Sequence, residues 1–259
     1  MASVLESIVE RTRQDLSARK RELPLTQLEK QLTRPAKPSF YQALHGGRAR
    51  QKLRLIAECK KASPSKGVFL EDYQPVTLAK RYQHAGAAAL SVLTEPHFFL
   101  GAPQHLSAVQ AAVPLPVLRK DFVIDPYQIA EARAWGASAA LLLVCLYNGA
   151  QLKELLDACT RYGVDALVEV HDEPECETAL ASPAMILGIN NRNLKNFEVK
   201  LDQVTRLAAR LSHFKGVLVA ESGYQDPNEL LPLRGQVDAC LIGEGLYKNP
   251  ALLAWFHED

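Results

Sequence analysis

From residue 53 onward the chain repeats one pattern eight times: a short apolar run of strand length, then a longer stretch with helical amphipathic spacing. The candidate strands are Leu53–Cys59, Ala89–Leu93, Val117–Lys120, Ala139–Val144, Ala166–Val170, Met185–Asn190, Val217–Ala220 and Ala239–Ile242. Helical patterns lie between them, among them Pro75–His84, Pro126–Trp135, Ala150–Tyr162, Glu173–Leu180 and Asp202–Leu211. Alternation of this kind requires right-handed crossovers and a parallel sheet. The runs are apolar at nearly every position, so both faces of the sheet must be buried. Eight such units can close a (β/α)8 TIM barrel, and 259 residues fit one barrel domain. A doubly wound open sheet is the competitor. No G-x-G-x-x-G follows the first strand, which counts against its dinucleotide-binding form.

The first 47 residues show no strand pattern. Val4, Leu5, Ile8, Val9 and Leu16 fall largely on one helical face. A connector with Pro24, Pro35 and Pro38 follows. Phe40, Tyr41, Ala43 and Leu44 then suggest a short helix stopped by Gly46-Gly47. The expectation is a single domain over 1–259, with 1–47 as a helical extension packed on the barrel.

Thirty basic and 29 acidic residues nearly cancel, and runs such as Arg19-Lys20-Arg21 are short, which argues against a nucleic-acid partner. The longest apolar run, Ala137 to Tyr147, is well short of the roughly 20 residues a membrane span needs. Five cysteines, with no C-x-x-C pair, fit reduced thiols and no zinc knuckle. With no secretory pattern at the N-terminus, the expected location is cytoplasmic. The expected assembly is a monomer or weak homo-oligomer.

Barrel chemistry sits at the C-terminal ends of the strands. The first strand ends in Glu58-Cys59-Lys60; alternation puts Glu58 and Lys60 on one face and Cys59 on the other. The third ends in Arg119-Lys120-Asp121, the fifth holds Glu169, and the sixth runs into Asn190-Asn191-Arg192. The seventh ends in Glu221-Ser222-Gly223 and the eighth in Gly243-Glu244-Gly245. Any one of these has a plain structural reading: Glu58 and Lys60 as a mutual ion pair, Arg119 and Lys120 as a surface charge cluster. Glu169 is harder to dismiss, because a carboxylate inside a buried strand costs several kcal/mol without a partner. Two small-residue turns after strands seven and eight suggest a phosphate site.

These residues carry a resemblance to the indole-3-glycerol-phosphate synthase family. The matching blocks are Ala57-Glu58-Cys59-Lys60-Lys61-Ala62-Ser63-Pro64-Ser65-Lys66-Gly67, Leu118-Arg119-Lys120-Asp121-Phe122, Asp125-Pro126-Tyr127-Gln128, Val168-Glu169-Val170-His171, Gly188-Ile189-Asn190-Asn191-Arg192-Asn193-Leu194 and Glu221-Ser222-Gly223. The resemblance implies the monofunctional form of an enzyme of tryptophan biosynthesis. Its reaction closes the indole ring of 1-(2-carboxyphenylamino)-1-deoxyribulose 5-phosphate with loss of carbon dioxide and water. It implies no metal and no organic cofactor. Lys120 becomes the leading proton donor to the ketone oxygen, through a lowered pKa, with Lys60 beside the substrate carboxylate. Glu169 becomes the partner in dehydration, Glu58 the group holding the lysines, and Asn190 and Glu221 binders of hydroxyls or intermediates. Arg192 and Ser63 would support the carboxylate end. Ser222, Gly223, Gly243 and the backbone at Glu244 would hold phosphate, and Phe98, Phe122 and Leu194 would flank the aromatic ring.

Tyr224 and Gly245 depart from the residues usual in this family, and the Glu244 carboxylate would repel phosphate unless turned away. Two other readings fit the fold. A phosphoribosylanthranilate isomerase would need a cysteine on strand one and an aspartate on strand six as its acid–base pair. A non-catalytic sensor of a phosphorylated metabolite would bind without turnover.

Overall fold

The computed structural model describes residues 3–32, 38–194 and 198–258; Pro35 lies outside them. Eight parallel strands close a barrel: β1 (Arg54–Cys59), β2 (Ala89–Leu93), β3 (Val117–Lys120), β4 (Ala139–Leu143), β5 (Asp165–Val170), β6 (Ile186–Asn190), β7 (Val217–Glu221) and β8 (Ala239–Ile242). Neighbours pair in sequence order, and β1 pairs with β8 to complete the ring. The open-sheet competitor is thereby excluded. Each strand lies within a residue of its expected bounds at either end, because double-sided burial writes itself into sequence as an unbroken apolar run.

Helix starts follow equally local chemistry. Asp125 accepts from the Tyr127 N–H ahead of the Pro126–Trp135 helix. Asp226 and Glu229 form a reciprocal capping box ahead of Pro227. Proline at the first helical position costs nothing there, since that N–H has no intrahelical partner.

The core has two layers. Side chains such as Leu90, Leu142, Val168 and Leu218 pack outward against the helices. Ile56, Leu118, Leu167, Val219 and Leu241 fill the barrel interior. Phe40 and Leu44, on the helix Phe40–Leu44, join the interior layer and are fully buried. Part of the extension therefore plugs the N-terminal end of the barrel instead of lying on its flank. Asp165 at the start of β5 fixes it, accepting from the Ser39 hydroxyl and the Tyr41 N–H, both at 3.0 Å. Gly47 must be glycine, because a Cβ would collide with the backbone of Asp238.

The N-terminal helix Val4–Glu22 buries Ile8, Val9 and Leu16. It is pinned by Arg19–Glu131 at 2.7 Å and Lys20–Asp125 at 2.5 Å. Arg119 is not part of a surface charge cluster. It is 1% exposed, bonds Asp121 at 2.9 Å and the Gln128 carbonyl at 2.7 Å, and stacks on Trp135. Alternation sends it outward from the barrel into the helix layer, while Lys120 points the other way. No helix among the described residues is long and apolar enough to cross a membrane.

Candidate active site

At the C-terminal mouth of the barrel lies a cavity of about 400 Å³. Glu58, Lys60, Lys120, Glu169 and Asn190 line it, from β1, β3, β5 and β6 or the residue just after a strand end. Register explains the convergence: Leu93 pairs with Lys120, Leu143 with Glu169, and Asn190 with Glu221, so the strand ends share one level.

Glu58 is the hub. One carboxylate oxygen meets Lys60 Nζ at 2.5 Å and the other stands 3.8 Å from Lys120 Nζ. Burial is the largest influence on Glu58 and would raise its pKa, but Lys60, Lys120 and Arg192 outweigh it and hold the carboxyl below the usual range. Gly243, after the neighbouring strand β8, leaves room for the Glu58 carboxylate, since a Cβ would stand 2.5 Å from Glu58 Oε1.

Lys120 contradicts the expectation of a lowered pKa. Burial acts most strongly and pushes the ammonium down, yet Glu58, Glu169 and Glu221 together reverse the shift, so the net direction is upward. Lys120 is a charged, half-buried acid held among three carboxyl groups, not a neutral amine.

Glu169 and Glu221 divide one electrostatic problem between them. Glu169 accepts from Asn190 Nδ2 at 2.8 Å and lies 3.1 Å from His171 Nε2. Against burial, the His171 contact, Lys120 and Asn190 depress its pKa, so it is ionised. Glu221 is 1% exposed; its carboxyl sits against that of Glu169, and neither oxygen meets an N–H or O–H donor among the described residues. Burial first, then the Glu169 charge, lifts its pKa well above the carboxylate range, against the pull of Lys120 at 3.9 Å. Like charges in one dry site force one of the pair to keep its proton. Gly188 makes room for the Glu221 side chain, which would collide with any Cβ there.

Ser63, Phe122, Arg192, Leu194, Ser222, Gly223, Gly243 and Glu244 also line the cavity. Glu221 is not part of the lining and lies next to it, against Lys120. Phe98 is not part of the lining either; Phe99 is, its ring 6.1 Å from that of Phe122. Both phenylalanines sit in the loop gathered by the Glu95 carboxylate, which accepts from the N–H groups of His97, Phe98 and Phe99. Outside a strand, alternation says nothing about which of two adjacent rings turns inward. Ser222 and Gly223 take left-handed conformations, φ +66° and +99°, in the turn after β7. The Glu244 carboxylate is held by Lys66 at 2.9 Å and Lys248 at 2.6 Å, which cancels its repulsion towards an anion. Tyr224 and Gly245 belong together: a Cβ on Gly245 would collide with the Tyr224 carbonyl, and the Tyr224 hydroxyl accepts from Asn191 at 2.9 Å.

Two residues without an expected role touch this machinery. His171 sits between Glu169 and Glu175, whose Oε2 is 3.0 Å from Nδ1, and the two carboxylates raise its pKa to about 10 against burial. Its spacing of two from Glu169 was the available signal. The Tyr247 hydroxyl lies 3.1 Å from the Lys60 N–H and fixes the backbone that carries Lys60. Nothing local to Tyr247 marks it, because the contact joins the first and last barrel units. Cys59 faces the outer layer, its sulfur 4.0 Å from the Pro75 carbonyl, away from the cavity, as alternation requires. It is thereby placed outside any isomerase-type acid–base pair.

The sequence model of the family "Indole-3-glycerol phosphate synthase" matches residues 5–258. Proteins of that name are similar along nearly their whole length. The one from Chlorobium luteolum is 45% identical over 258 residues, 97% of this chain and 96% of the relative. Those from Carboxydothermus hydrogenoformans and Aliarcobacter butzleri are 42% and 41% identical, each over 251 residues. Matched end to end by the family's sequence model and carrying its motif residues around one barrel mouth, the chain belongs to the indole-3-glycerol phosphate synthase family.

Proposed function

We propose that Glu58, Lys60, Lys120, Glu169 and Asn190 carry out the family reaction in this cavity, the ring closure of 1-(2-carboxyphenylamino)-1-deoxyribulose 5-phosphate to indole-3-glycerol phosphate. The observation that carries this reading is Lys120 caged by Glu58, Glu169 and Glu221 at the barrel mouth.

The aromatic carbon bearing the carboxylate attacks the ketone carbon, and the ketone oxygen must gain a proton as the bond forms. Lys120 is charged, half-buried and lines the cavity, so it is the proposed donor. Lys60 and Arg192 face the same space and offset the substrate carboxylate until carbon dioxide leaves and aromaticity returns. Dehydration then requires a proton for the departing hydroxyl and a base for the proton released as the five-membered ring becomes aromatic. Glu169 is ionised and takes that proton, with Asn190 holding its orientation. Glu221 keeps a proton next to the cavity, beside Lys120 and Glu169, and is the proposed donor to a substrate hydroxyl there. Phe99, Phe122 and Leu194 supply apolar walls for the aromatic ring. Phosphate rests against the backbone at Ser222, Gly223, Gly243 and Glu244, with Ser63 across the mouth.

No step asks for a metal or organic cofactor, because acid, base and cation are all protein groups. We read residues 1–259 as one barrel domain with 1–47 as its extension, acting in the cytoplasm as a monomer or weak homo-oligomer. The test is a fluorescence assay of indole product from the synthetic substrate, run with and without chelator. Lys120→Ala and Glu169→Gln are each expected to lower kcat by at least about 100-fold, the usual scale of a lost acid or base. Near-normal turnover in both variants would remove the assignment.

A further inference from the structure

Cys145, His171 and Glu175 stand together on the rim of the barrel, one donor atom from each lying within 4.8 Å of the others. They come from separate pieces of chain. Cys145 lies on the turn Val144–Leu146 after β4, His171 on the loop after β5, and Glu175 in the first turn of the helix Glu173–Leu180. That helix packs against the Cys145 turn, so the three are held as neighbours by the fold. The His171 N–H also donates to Glu175 at 2.8 Å, which fixes the carboxylate beside the ring.

A thiolate, an imidazole and a carboxylate make a mixed soft and borderline donor set, suited to zinc-like ions and poorly suited to magnesium or calcium. Tetrahedral zinc bonds of about 2.0–2.3 Å place donor atoms roughly 3.3–3.7 Å apart. Closing the present separations takes about an ångström, within reach of a side-chain rotation at the exposed Cys145. On binding, the Cys145 thiol and the His171 ring each give a proton to solvent; thiolate and carboxylate then balance a dication, and Cys145 faces solvent, which leaves room for water as the fourth ligand.

We propose that Cys145, His171 and Glu175 form a site for a thiophilic divalent cation of the zinc class, and that its occupancy slows the enzyme. The link to turnover is geometric. His171 Nε2 lies 3.1 Å from Glu169 Oε1, so a cation that draws the ring towards Cys145 disturbs the side chain that supports Glu169. This second half rests on the proposed role of Glu169; cation binding itself does not.

The experiment uses the full chain, metal-free, in a non-thiol reductant. Cobalt(II) is titrated while the thiolate-to-metal charge-transfer absorption is followed, and initial rates are measured with micromolar zinc. The other four cysteines are buried, so the absorption reports Cys145. Expected are a band saturating at one cobalt per chain, displacement by zinc, and at least a tenfold loss of rate with zinc. Cys145→Ser should keep the basal rate, lose the band, and change less than twofold with the same zinc. Absence of the band in the unaltered chain, or equal zinc sensitivity in Cys145→Ser, would overturn the proposal, and a band with no loss of rate would overturn its second half. The cobalt band reads the site whether or not Glu169 is the base, so the two readings fail separately.

Discussion

At the scale of single residues, the active-site groups are defined less by their own chemistry than by which neighbours share their charge. Glu221 shows this most clearly. It is buried and beside the ionised Glu169, whose influence with that of burial exceeds the pull of Lys120, so its folded-state pKa lies above its unfolded value. A carboxyl shifted in that direction takes up a proton on folding at any pH between its unfolded and folded pKa. Its stability cost therefore grows as pH rises from that value towards the folded pKa, and vanishes in acid below both. Glu221→Gln removes the cost. The expected result is a melting temperature above that of the unaltered chain at pH 7–8, by roughly 2–4 °C per kcal/mol relieved, and no gain near pH 4. Calorimetry across that range checks it, and equal melting curves at neutral pH would contradict the protonation argument. Activity should fall in the same variant. Glu58 behaves oppositely: its pKa is depressed, so its ion pairs support the fold at neutral pH and lose that support in acid. None of these charge states is readable from sequence, because each arises from residues on three or four different strands.

At the scale of elements, the short helix Phe40–Leu44 is a plug. Phe40 and Leu44 are both fully buried in the barrel interior, at the end away from the chemistry. Phe40→Ala should cost about 3–5 kcal/mol, the range for deleting a buried aromatic ring. Because the plug lies beneath the floor of the site, KM should stay within about twofold. Urea unfolding and steady-state kinetics on one preparation separate the two effects. The Arg119 network is a second structural device. Arg119→Ala leaves the buried Asp121 without its cation and Glu131 with Arg19 alone, and should cost about 3–5 kcal/mol. Strands and capped helices are legible in the sequence because their signals are local: unbroken apolar runs, Asp-Pro starts, alternation at Glu58–Cys59–Lys60. The hairpin Ala62–Ser63 with Gly67–Val68 is not, since two-residue strands have no period. Phe99 in place of Phe98 is a loop choice made by Glu95, and Arg119 finds Glu131 only through the fold.

For the whole molecule, closure of the barrel turns scattered residues into one site. Lys120 and Glu169 are separated by the whole of β4 and its helices in sequence, yet both face the same cavity. If they act as one unit on one bound substrate, removing both should cost little more than removing the more damaging one, as for groups that work together in a catalytic step. The deciding measurement is kcat/KM for Lys120→Ala, Glu169→Gln and the double variant, by indole fluorescence. The account predicts a double variant within about tenfold of the worse single one. Losses that multiply in full, or single variants near the unaltered rate, would contradict a shared mouth at which these side chains do their chemistry.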